Sequence, residues 1–464
     1  MSRPHPFATE ARALMRLANP IILSQVAMVL MGLVDTVMSG HAGAQELAVV
    51  GLGVAMWIPV FITLMNVVQA LSPIVAHHFG AGDHDAVARD TREGLWLAAW
   101  VSALPLLLAH WAPDLLTAAG VAPALAARTG VFLWGIALGL PAAMLYRALS
   151  FYSASINQTR PMMVLAFVGL ALNAALNWVL IYGRLGAPEM GGAGCGWATG
   201  VGMWVQFAAL AAWTSRAHVY RATYVWRAWA PPRWEAQKRL LRIGLPMGGA
   251  GLAEVAAFSS VAILVGRFGA VQIAAHQVAL NFAALVFMLP MGLSAAMAIR
   301  VGHALGAGDA RGARFVAWTG MAVGIAIGAA AIVPIILLRH EVAAVYSTDP
   351  AVRALAANLL LFAAFWILFD ATQVCAMGAL RGYKVTLAPL VLMLVAFWLV
   401  GVPTGTWLGL HGLPGRGPME VYGFWVGLVL GLVSVSIGLT IALRKVADDA
   451  LAHLPPATTA PAAA

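Results

Sequence analysis

Residues 77–83 read His-His-Phe-Gly-Ala-Gly-Asp, and residues 303–309 read His-Ala-Leu-Gly-Ala-Gly-Asp. The second stretch follows the first after 226 residues (303 against 77), and the same shift aligns the chain on their amino-terminal sides without a gap. Self-similarity at a fixed spacing is the sequence signature of a repeated structural unit. The chain is therefore predicted to consist of two similar halves in tandem. The aligned pairs include Arg16 with Arg242, Pro20 with Pro246, Gly40 with Gly266 and Met65 with Met291.

The composition indicates a membrane protein. The chain has 464 residues, of which 62% are hydrophobic and only 10% are charged, and its mean hydropathy is +0.86. Ordinary soluble domains carry about 25% charged residues, so lipid must be the solvent for most of this chain. The first apolar segment, residues 17–38, is longer than the apolar part of a signal peptide. It is expected to be the first transmembrane helix, retained in the mature protein.

A helix that spans a bilayer needs about 20 mostly apolar residues, and twelve such segments can be marked. Long apolar runs exclude a β-barrel, whose strands alternate over about ten residues. We predict an all-α integral membrane protein with twelve transmembrane helices in two six-helix lobes related by a direct repeat. The segments are residues 17–38, 47–76, 94–112, 129–149, 161–183, 193–214, 241–265, 272–299, 315–338, 354–380, 386–409 and 420–443.

The predicted lobes are residues 1–214 and 241–445, joined by a basic cytoplasmic linker at residues 215–240 that holds the densest charge in the chain. An even number of helices per repeat gives both lobes the same orientation. Their axis then lies along the membrane normal, as in transporters that rock two bundles about a central site. Residues 446–464 end in a low-complexity Pro, Thr and Ala sequence and are predicted to be a disordered tail.

The net charge of +9 invites a nucleic-acid interpretation, but the basic residues sit singly or in small groups between apolar segments. No nucleic-acid partner is therefore expected. With the amino terminus inside, 21 of the 27 Lys and Arg residues fall on the inner side and six on the outer. This excess predicts a multi-pass protein of the bacterial inner membrane with both termini in the cytoplasm. We expect a monomer in the lipid bilayer.

Three acidic residues, Asp35, Glu254 and Asp370, lie within apolar segments, whereas the other fifteen fit in loops, helix ends or termini. A charged side chain at the centre of a membrane helix costs roughly 2.5–3.5 kcal/mol. No Lys or Arg is expected in mid-membrane to neutralise these acids, so they should face a cavity and mark a path for cations. The alternative is that each is protonated and hydrogen-bonded to a neighbouring helix. None of the three aligns with an acid in the other half.

Amide side chains in the membrane form the next group. Asn173 and Asn177 are spaced i, i+4 and share one face of the fifth segment. They could hydrogen-bond Asp35 across the bundle or offer carbonyl oxygens to a cation. Gln277 and Asn281 repeat this spacing in the eighth segment and could line the same kind of cation or substrate cavity. The alternative for both pairs is hydrogen bonding between helices.

Motifs of other protein classes do not occur. The chain has no His-Glu-x-x-His, no Gly-x-Ser-x-Gly and no paired Asp motif, so neither an enzyme nor a catalytic residue is expected. The Gly-Ala-Gly-Asp turns are not phosphate loops, because no Lys-Ser/Thr follows them. An ATP pump is excluded for this chain alone, since it has no nucleotide-binding domain. Cys195 and Cys375 lie far apart and are expected to be small packing residues.

Several separated stretches match one known family in order and spacing. They are residues 34–41 (Val-Asp-Thr-Val-Met-Ser-Gly-His), 47–53, 181–183, 194–199, 274–279, Asn281 and 378–384 (Gly-Ala-Leu-Arg-Gly-Tyr-Lys). From about residue 10 to 445 the chain thus resembles the MATE (multidrug and toxic compound extrusion) family, in its NorM-type branch. The resemblance implies export of organic cations and drugs against a Na⁺ or H⁺ gradient, with no cofactor beyond the coupling ion.

The resemblance also implies roles for the three acids. Asp35 is similar to the acid of the amino-terminal lobe, and Glu254 and Asp370 to the pair in the other lobe of NorM-type members, where they face one cavity. Two like charges close together oppose each other's ionisation, so this pair could hold either one proton or one Na⁺. We favour Na⁺, a hard cation that prefers several oxygen ligands. The chain departs from the family pattern at Val385, where an acid is expected.

A second departure is that Trp366 and Phe369, rather than a tyrosine, accompany Asp370. The alternative function is a flippase for lipid-linked precursors, from the same superfamily. That class usually adds helices or lines its cavity with basic residues that hold phosphates, whereas the interior predicted here is acidic.

Overall fold

The structure is a computed structural model that describes residues 6–227, 230–413 and 417–453. These ranges contain twelve long helices, and α2, α3 and α11 are each interrupted, at residues 69–70, at Ser102 and by a π-helical turn at Val395–Gly401. The helices are α1 (Phe7–Ala42), α2 (Ala44–Gly80), α3 (His84–Ala118), α4 (Pro123–Ser155), α5 (Arg160–Ile181), α6 (Gly192–Arg216), α7 (Trp234–Phe268), α8 (Ala270–Gly306), α9 (Ala310–Tyr346), α10 (Pro350–Gly382), α11 (Leu387–Leu410) and α12 (Val421–Ala452).

Eleven of these helices are long and apolar enough to cross a membrane, judged by length and composition among the described residues. The remaining one, α6, has 25 residues but is rich in glycine, which lowers its hydropathy. Its glycines let it approach its neighbours closely: Gly194 faces the backbone of Leu180 in α5, and Gly196 faces that of Phe132 in α4. Small residues at such contacts are typical of helix packing in membranes. The prediction of a twelve-helix membrane fold is confirmed.

The repeated Gly-Ala-Gly-Asp sequences form the turns after α2 and α8. Gly82 and Gly308 have φ angles of +74° and +75°, which glycine adopts without steric cost. Asp83 and Asp309 then cap the next helix, because each side chain accepts a backbone N–H three residues later, at 2.8 Å and 2.7 Å. The repeat therefore fixes the same helix–turn–helix geometry in both lobes.

The lobes, α1–α6 and α7–α12, meet mainly where α1 packs on α8 and α2 packs on α7. We call the end of the bundle where α1 begins the linker end, and the opposite end the far end. In the described ranges, the hydrogen bonds between the lobes lie in the linker-side half of the bundle. The contact farthest from the linker end joins Gln25 Nε2 to Met291 Sδ at 3.9 Å. Towards the far end, no hydrogen bond between described residues joins the lobes.

The predicted linker at residues 215–240 is too long. α6 continues to Arg216 and α7 begins at Trp234, with 3-10 turns at His218–Thr223 and Val225–Arg227 between them. Glu93 of α3 explains the early start of α7, since it accepts the Arg233 backbone N–H at 3.2 Å and Gln237 Nε2 at 2.7 Å. Residues 228–229 of the predicted linker lie outside the described ranges.

The predicted disordered tail is wrong for residues 446–452, which belong to α12. Asp448 ties this last part of the helix to the bundle through an ion pair with Arg314 at 3.0 Å, and Ala447 is completely buried. Residues 454–464 of the predicted tail lie outside the described residues.

Candidate functional site

Asp35 lies about two turns from the far end of α1, with its carboxylate against α5. Asn177 Nδ2 donates to Asp35 Oδ1 at 2.6 Å and to Asn173 Oδ1 at 3.2 Å, and Asn173 donates to Thr199 of α6 at 3.4 Å. Both asparagines are buried, whereas Asp35 is partly exposed. The predicted hydrogen bond across the bundle is confirmed. It holds an accessible carboxylate against a buried amide face.

Glu254 of α7 and Asp370 of α10 form the corresponding group in the other lobe. Gln373 lies on α10 one turn after Asp370, and its Nε2 donates to Glu254 Oε1 at 3.3 Å. Asp370 is 5% exposed, while Glu254 is partly exposed. This hydrogen bond places Glu254 against the part of α10 that carries Asp370. The structure thus brings together the two acids that the sequence placed on separate segments.

Each site contains an amide oxygen that accepts no hydrogen bond from the described residues. These atoms are Asn177 Oδ1, beside Asp35, and Gln373 Oε1, beside Glu254, and both are buried. Buried polar atoms nearly always have a partner, so each oxygen is available to a water or a cation. A carboxylate next to a free amide oxygen is a donor set that suits a hard cation such as Na⁺. No group of three or more His, Cys, Asp or Glu that could hold a metal occurs in the described part of the chain.

Sequence reasoning missed a group of aromatic side chains behind Asp370. The rings of Trp366 and Trp425 lie 5.7 Å apart, and that of His276 lies 5.9 Å from Trp425. His276 is completely buried, and among the described residues neither its ring nitrogens nor Trp425 Nε1 has a hydrogen-bond partner. Such groups are typically satisfied by ordered water. The one sequence signal was a histidine inside an apolar run.

Gln277 and Asn281 stand apart from both carboxylate sites. Their side chains are exposed on α8, and neither has a hydrogen bond to a described residue. The structure therefore does not join them to Glu254 or Asp370. That they line a substrate path stays a prediction.

Arg147 is partly buried within α4, and whether it lies within the membrane stays a prediction. α4 runs six residues past the predicted end at 149, so Arg147 lies eight residues inside the helix end at Ser155, roughly 12 Å along the axis. Its Nη2 lies 2.9 Å from Met28 Sδ, and its Cζ lies 5.8 Å from the centre of the Phe61 ring. Arg381, by contrast, lies at the linker end of α10, as the sequence predicted.

Two histidines related by the repeat join the lobes at the linker end. His77 Nε2 of α2 hydrogen-bonds the Gly382 carbonyl oxygen of α10 at 2.8 Å, and His303 Nε2 of α8 hydrogen-bonds the Ser155 carbonyl oxygen of α4 at 2.6 Å. Each histidine thus reaches from its own lobe to the end of the equivalent helix in the other. The contact is reciprocal, and it joins the two lobes at the linker end.

Ion pairs strengthen this closure. Buried Glu10 accepts from Arg300 at 2.5 Å, and buried Asp90 accepts from Arg239 at 2.6 Å. Burial, followed by the charge of Arg239, lowers the pKa of the nearby Lys384 ammonium, although Asp90 opposes that shift. The linker end is therefore a packed, charged seal.

Known proteins resemble this chain over most of its length. The family model described as MatE matches residues 20–179 and 246–407, two stretches that start with the same spacing as the repeat. The chain is 41% identical over 446 residues to the probable multidrug resistance protein NorM of Chromobacterium violaceum, covering 94% of each. It is 42% identical over 446 residues to the multidrug resistance protein PmpM of Pseudomonas aeruginosa, covering 96% of this chain and 93% of that protein.

Solved structures share the fold at lower identity. The eukaryotic MATE transporter AtDTX14 superimposes with a TM-score of 0.86 at 20% identity, over 97% of this chain and 100% of that chain. A multidrug resistance MATE family transporter of the MOP superfamily, in an outward-facing conformation, gives a TM-score of 0.85 at 19% identity, over 96% of this chain and 97% of that chain. These likenesses support the fold.

Proposed function

This chain belongs to the MATE family of multidrug transporters, and we propose that it is a secondary active antiporter. On this proposal it exports hydrophobic or cationic drugs and toxic organic compounds in exchange for Na⁺ or H⁺. The observation that best supports this proposal is that each lobe holds a partly exposed carboxylate against a buried amide. These are Asp35 with Asn177 and Glu254 with Gln373. Each can release one cation and bind another without rearranging its lobe.

Exchange follows from competition for these carboxylates. A buried carboxylate without a cation or a proton is costly in the membrane, so a site that loses one positive charge must gain another. An organic cation entering the cleft can displace the coupling ion, and the coupling ion can displace it in turn. The partial exposure of Asp35 and Glu254 gives both species access, which is what obligatory exchange requires.

The coupling ion at Glu254 and Asp370 is proposed to be Na⁺. The unpartnered Gln373 Oε1 and the two carboxyl groups supply the oxygen ligands that Na⁺ prefers. Protons are the competing ion, since the buried Asp370 and the unpartnered nitrogens of His276 could also hold one. Na⁺ would neutralise the pair, and the protein residues would fix its position.

The contacts between the lobes support alternating access. The histidine pair and the ion pairs hold the lobes together at the linker end, and we propose that a cleft opens between them at the far end. If both termini lie in the cytoplasm of the bacterial inner membrane, as the charge distribution predicts, this conformation faces outward. Transport then requires the linker-end seal to break while the far ends of the lobes close.

A flippase for lipid-linked precursors is less well supported. Such a protein needs several basic residues in its cleft to hold phosphate groups, whereas the sites described here are built on the carboxylates of Asp35, Glu254 and Asp370. The acidic character of the sites favours a cationic cargo.

The proposal is tested by drug efflux from a sensitised bacterial host that produces the wild type, Glu254→Gln or Asp370→Asn. The matched control is Glu235→Gln, the same substitution at an exposed position near the start of α7. We expect both site variants to lose efflux at normal membrane levels and the control to retain it. Full efflux by both site variants would remove this pair from the mechanism.

A further inference from the structure

The carboxy-terminal lobe contains a row of buried polar atoms that form no hydrogen bond with a described residue. Nine such side-chain atoms occur in the described ranges, and four of them belong to three neighbouring residues. They are Gln272 Oε1 and both ring nitrogens of His276 in α8, and Trp425 Nε1 in α12. Buried polar atoms nearly always have a partner. Where the protein offers none, that partner is usually an ordered water.

The row begins at the far end of the bundle and runs inwards. Glu420, which precedes α12, is exposed and accepts a hydrogen bond from Gln272 Nε2. His276 follows Gln272 by one turn on the same face of α8, and its ring lies 5.9 Å from that of Trp425. The Trp425 ring in turn lies 5.7 Å from that of Trp366 in α10. The row thus leads from an exposed carboxylate to a buried indole.

The inner end of the row lies beside the carboxylate pair of this lobe. Trp366 precedes Asp370 by four residues on α10, so both side chains lie on one face of that helix. Within residues 6–227, 230–413 and 417–453, no charged side chain hydrogen-bonds the His276 ring. The titratable groups along the row are therefore Glu420 at the far end, His276 in the middle and Asp370, with Glu254, at the inner end.

The fold itself does not require polar residues along this row. The 226-residue shift aligns His276 with Val50, which is buried in α2. It aligns Gln272 with Glu46, and Arg128 donates to both carboxylate oxygens of Glu46. The equivalent helix of the amino-terminal lobe therefore packs with an apolar side chain and a partnered carboxylate. The unpartnered atoms are a property of the lobe that holds two acids.

We propose that His276 is a proton relay that connects the far end of the bundle with the carboxylate pair through the interior of the carboxy-terminal lobe. This inference rests on the proposed antiport function and adds a route for the competing ion. His276 and Trp425 are completely buried, and α8, α10 and α12 all belong to one lobe. Protons on this route therefore do not share the path of the drug between the lobes.

The chemistry of the relay is that of a neutral imidazole, in which one ring nitrogen carries a proton and the other can accept one. A proton from water at the far end binds the bare nitrogen of His276. The N–H proton leaves from the other nitrogen towards the carboxylate pair, so the ring is neutral again and one proton has moved inwards. Trp425 Nε1 and Gln272 Oε1 can each hold a connecting water. Histidines serve in such relays in membrane transporters.

The test measures proton-driven and Na⁺-driven transport of a fluorescent organic cation separately in proteoliposomes. The proton arm uses Na⁺-free buffer and trapped pyranine, which reports the protons moved, and the Na⁺ arm uses the same pH on both sides. The variants are His276→Gln, which keeps hydrogen-bonding groups but does not titrate, and His276→Val, which copies the residue of the other lobe. The matched control is His110→Gln, at an exposed position of α3.

For both His276 variants we expect proton-driven transport to fall about 100-fold, the lower end of what a positioned proton-transfer group contributes. Na⁺-driven transport should stay close to the wild-type rate, which also shows that the variants are folded. His110→Gln should match the wild type under both gradients. Proton-driven transport that persists in His276→Gln, or an equal loss under both gradients, would overturn the relay.

The wild type separates the relay from the antiport function. A wild type that is driven by Na⁺ but not by protons would overturn the relay and leave antiport standing. A wild type that is driven by neither ion would reject the antiport function and the relay with it.

Radiolytic labelling measures water access without transport, because hydroxyl radicals formed from bound water modify the side chains beside it. We expect labelling of Trp425 in the wild type and less in His276→Val, which removes the polar partners of that water. The control is Phe397, which is also completely buried but has no polar side-chain atom. Trp425 labelled no more than Phe397 would overturn the proposal.

Discussion

The linker-end seal depends on two glycines that the repeat supplies, Gly80 in α2 and Gly306 in α8. A Cβ atom at Gly80 would lie 2.7 Å from His303 Cα and 2.8 Å from its carbonyl carbon. At Gly306 it would lie 2.8 Å from the carbonyl carbon of His77 and 3.0 Å from its Cα. In both cases the obstacle is backbone of the other lobe. The double variant Gly80→Ala/Gly306→Ala therefore has to push the lobes apart.

The size of the effect follows from the contacts. Overpacking of a close contact costs about 1–3 kcal/mol, and losing the hydrogen bond from His303 to Ser155 adds about 1 kcal/mol. Together this is about 2–4 kcal/mol against the conformation with a closed linker end. At about 1.4 kcal/mol per factor of ten, the ratio of closed to open linker end should fall roughly 30- to 700-fold.

Pulsed electron paramagnetic resonance can measure this change. Spin labels at Asp85→Cys and Arg311→Cys lie on exposed positions, one in each lobe at the linker end, and both natural cysteines are buried. The double glycine variant should shift the label distances towards a longer population. The control is Gly32→Ala in α1, where an added Cβ meets nothing within 4 Å. An unchanged distance distribution in the double variant would refute the seal.

Three further outcomes are expected. Asp35→Asn should abolish efflux at normal membrane levels, because it keeps the packing but removes the exchangeable charge; full drug resistance would make Asp35 structural. Gln373→Ala should weaken Na⁺ dependence of transport more than drug binding, as it removes the free amide oxygen beside Glu254; an unchanged Na⁺ concentration dependence would count against that ligand. Thiol-labelling of single cysteines should place residues 218–227 in the cytoplasm and residues 184–191 outside, and the reverse pattern would invert the topology.

The architecture was largely predictable from the sequence, because apolar segments and a gap-free repeat are properties of local composition. The importance of the three acids was also predictable, because a charged residue inside an apolar segment is costly and usually has a function there. The hydrogen bond from Asn177 to Asp35 followed from helical spacing and the scarcity of other polar groups nearby.

The features that the sequence did not predict all depend on contacts between segments. Gln373 was not singled out, because a glutamine in an apolar helix gives no sign of the direction in which it points. The predicted fourth segment ends six residues too early, at residue 149, and the contacts of Arg147 with Met28 and Phe61 are not foreseen. The reciprocal contacts of His77 and His303 depend on how the lobes dock, which the repeated motif itself does not encode.

Transport in proteoliposomes under separately imposed ion gradients tests the central claim most directly. A fluorescent organic cation is followed with a Na⁺ gradient alone, with a proton gradient alone and with neither, for the wild type and the Glu254→Gln/Asp370→Asn double variant. We predict that, in the wild type, an imposed Na⁺ gradient drives the organic cation against its own concentration gradient, in the direction opposite to Na⁺ flow. The double variant should show no such transport. Transport that ignores both gradients, or a double variant that still couples to Na⁺, would contradict cation exchange at these carboxylates.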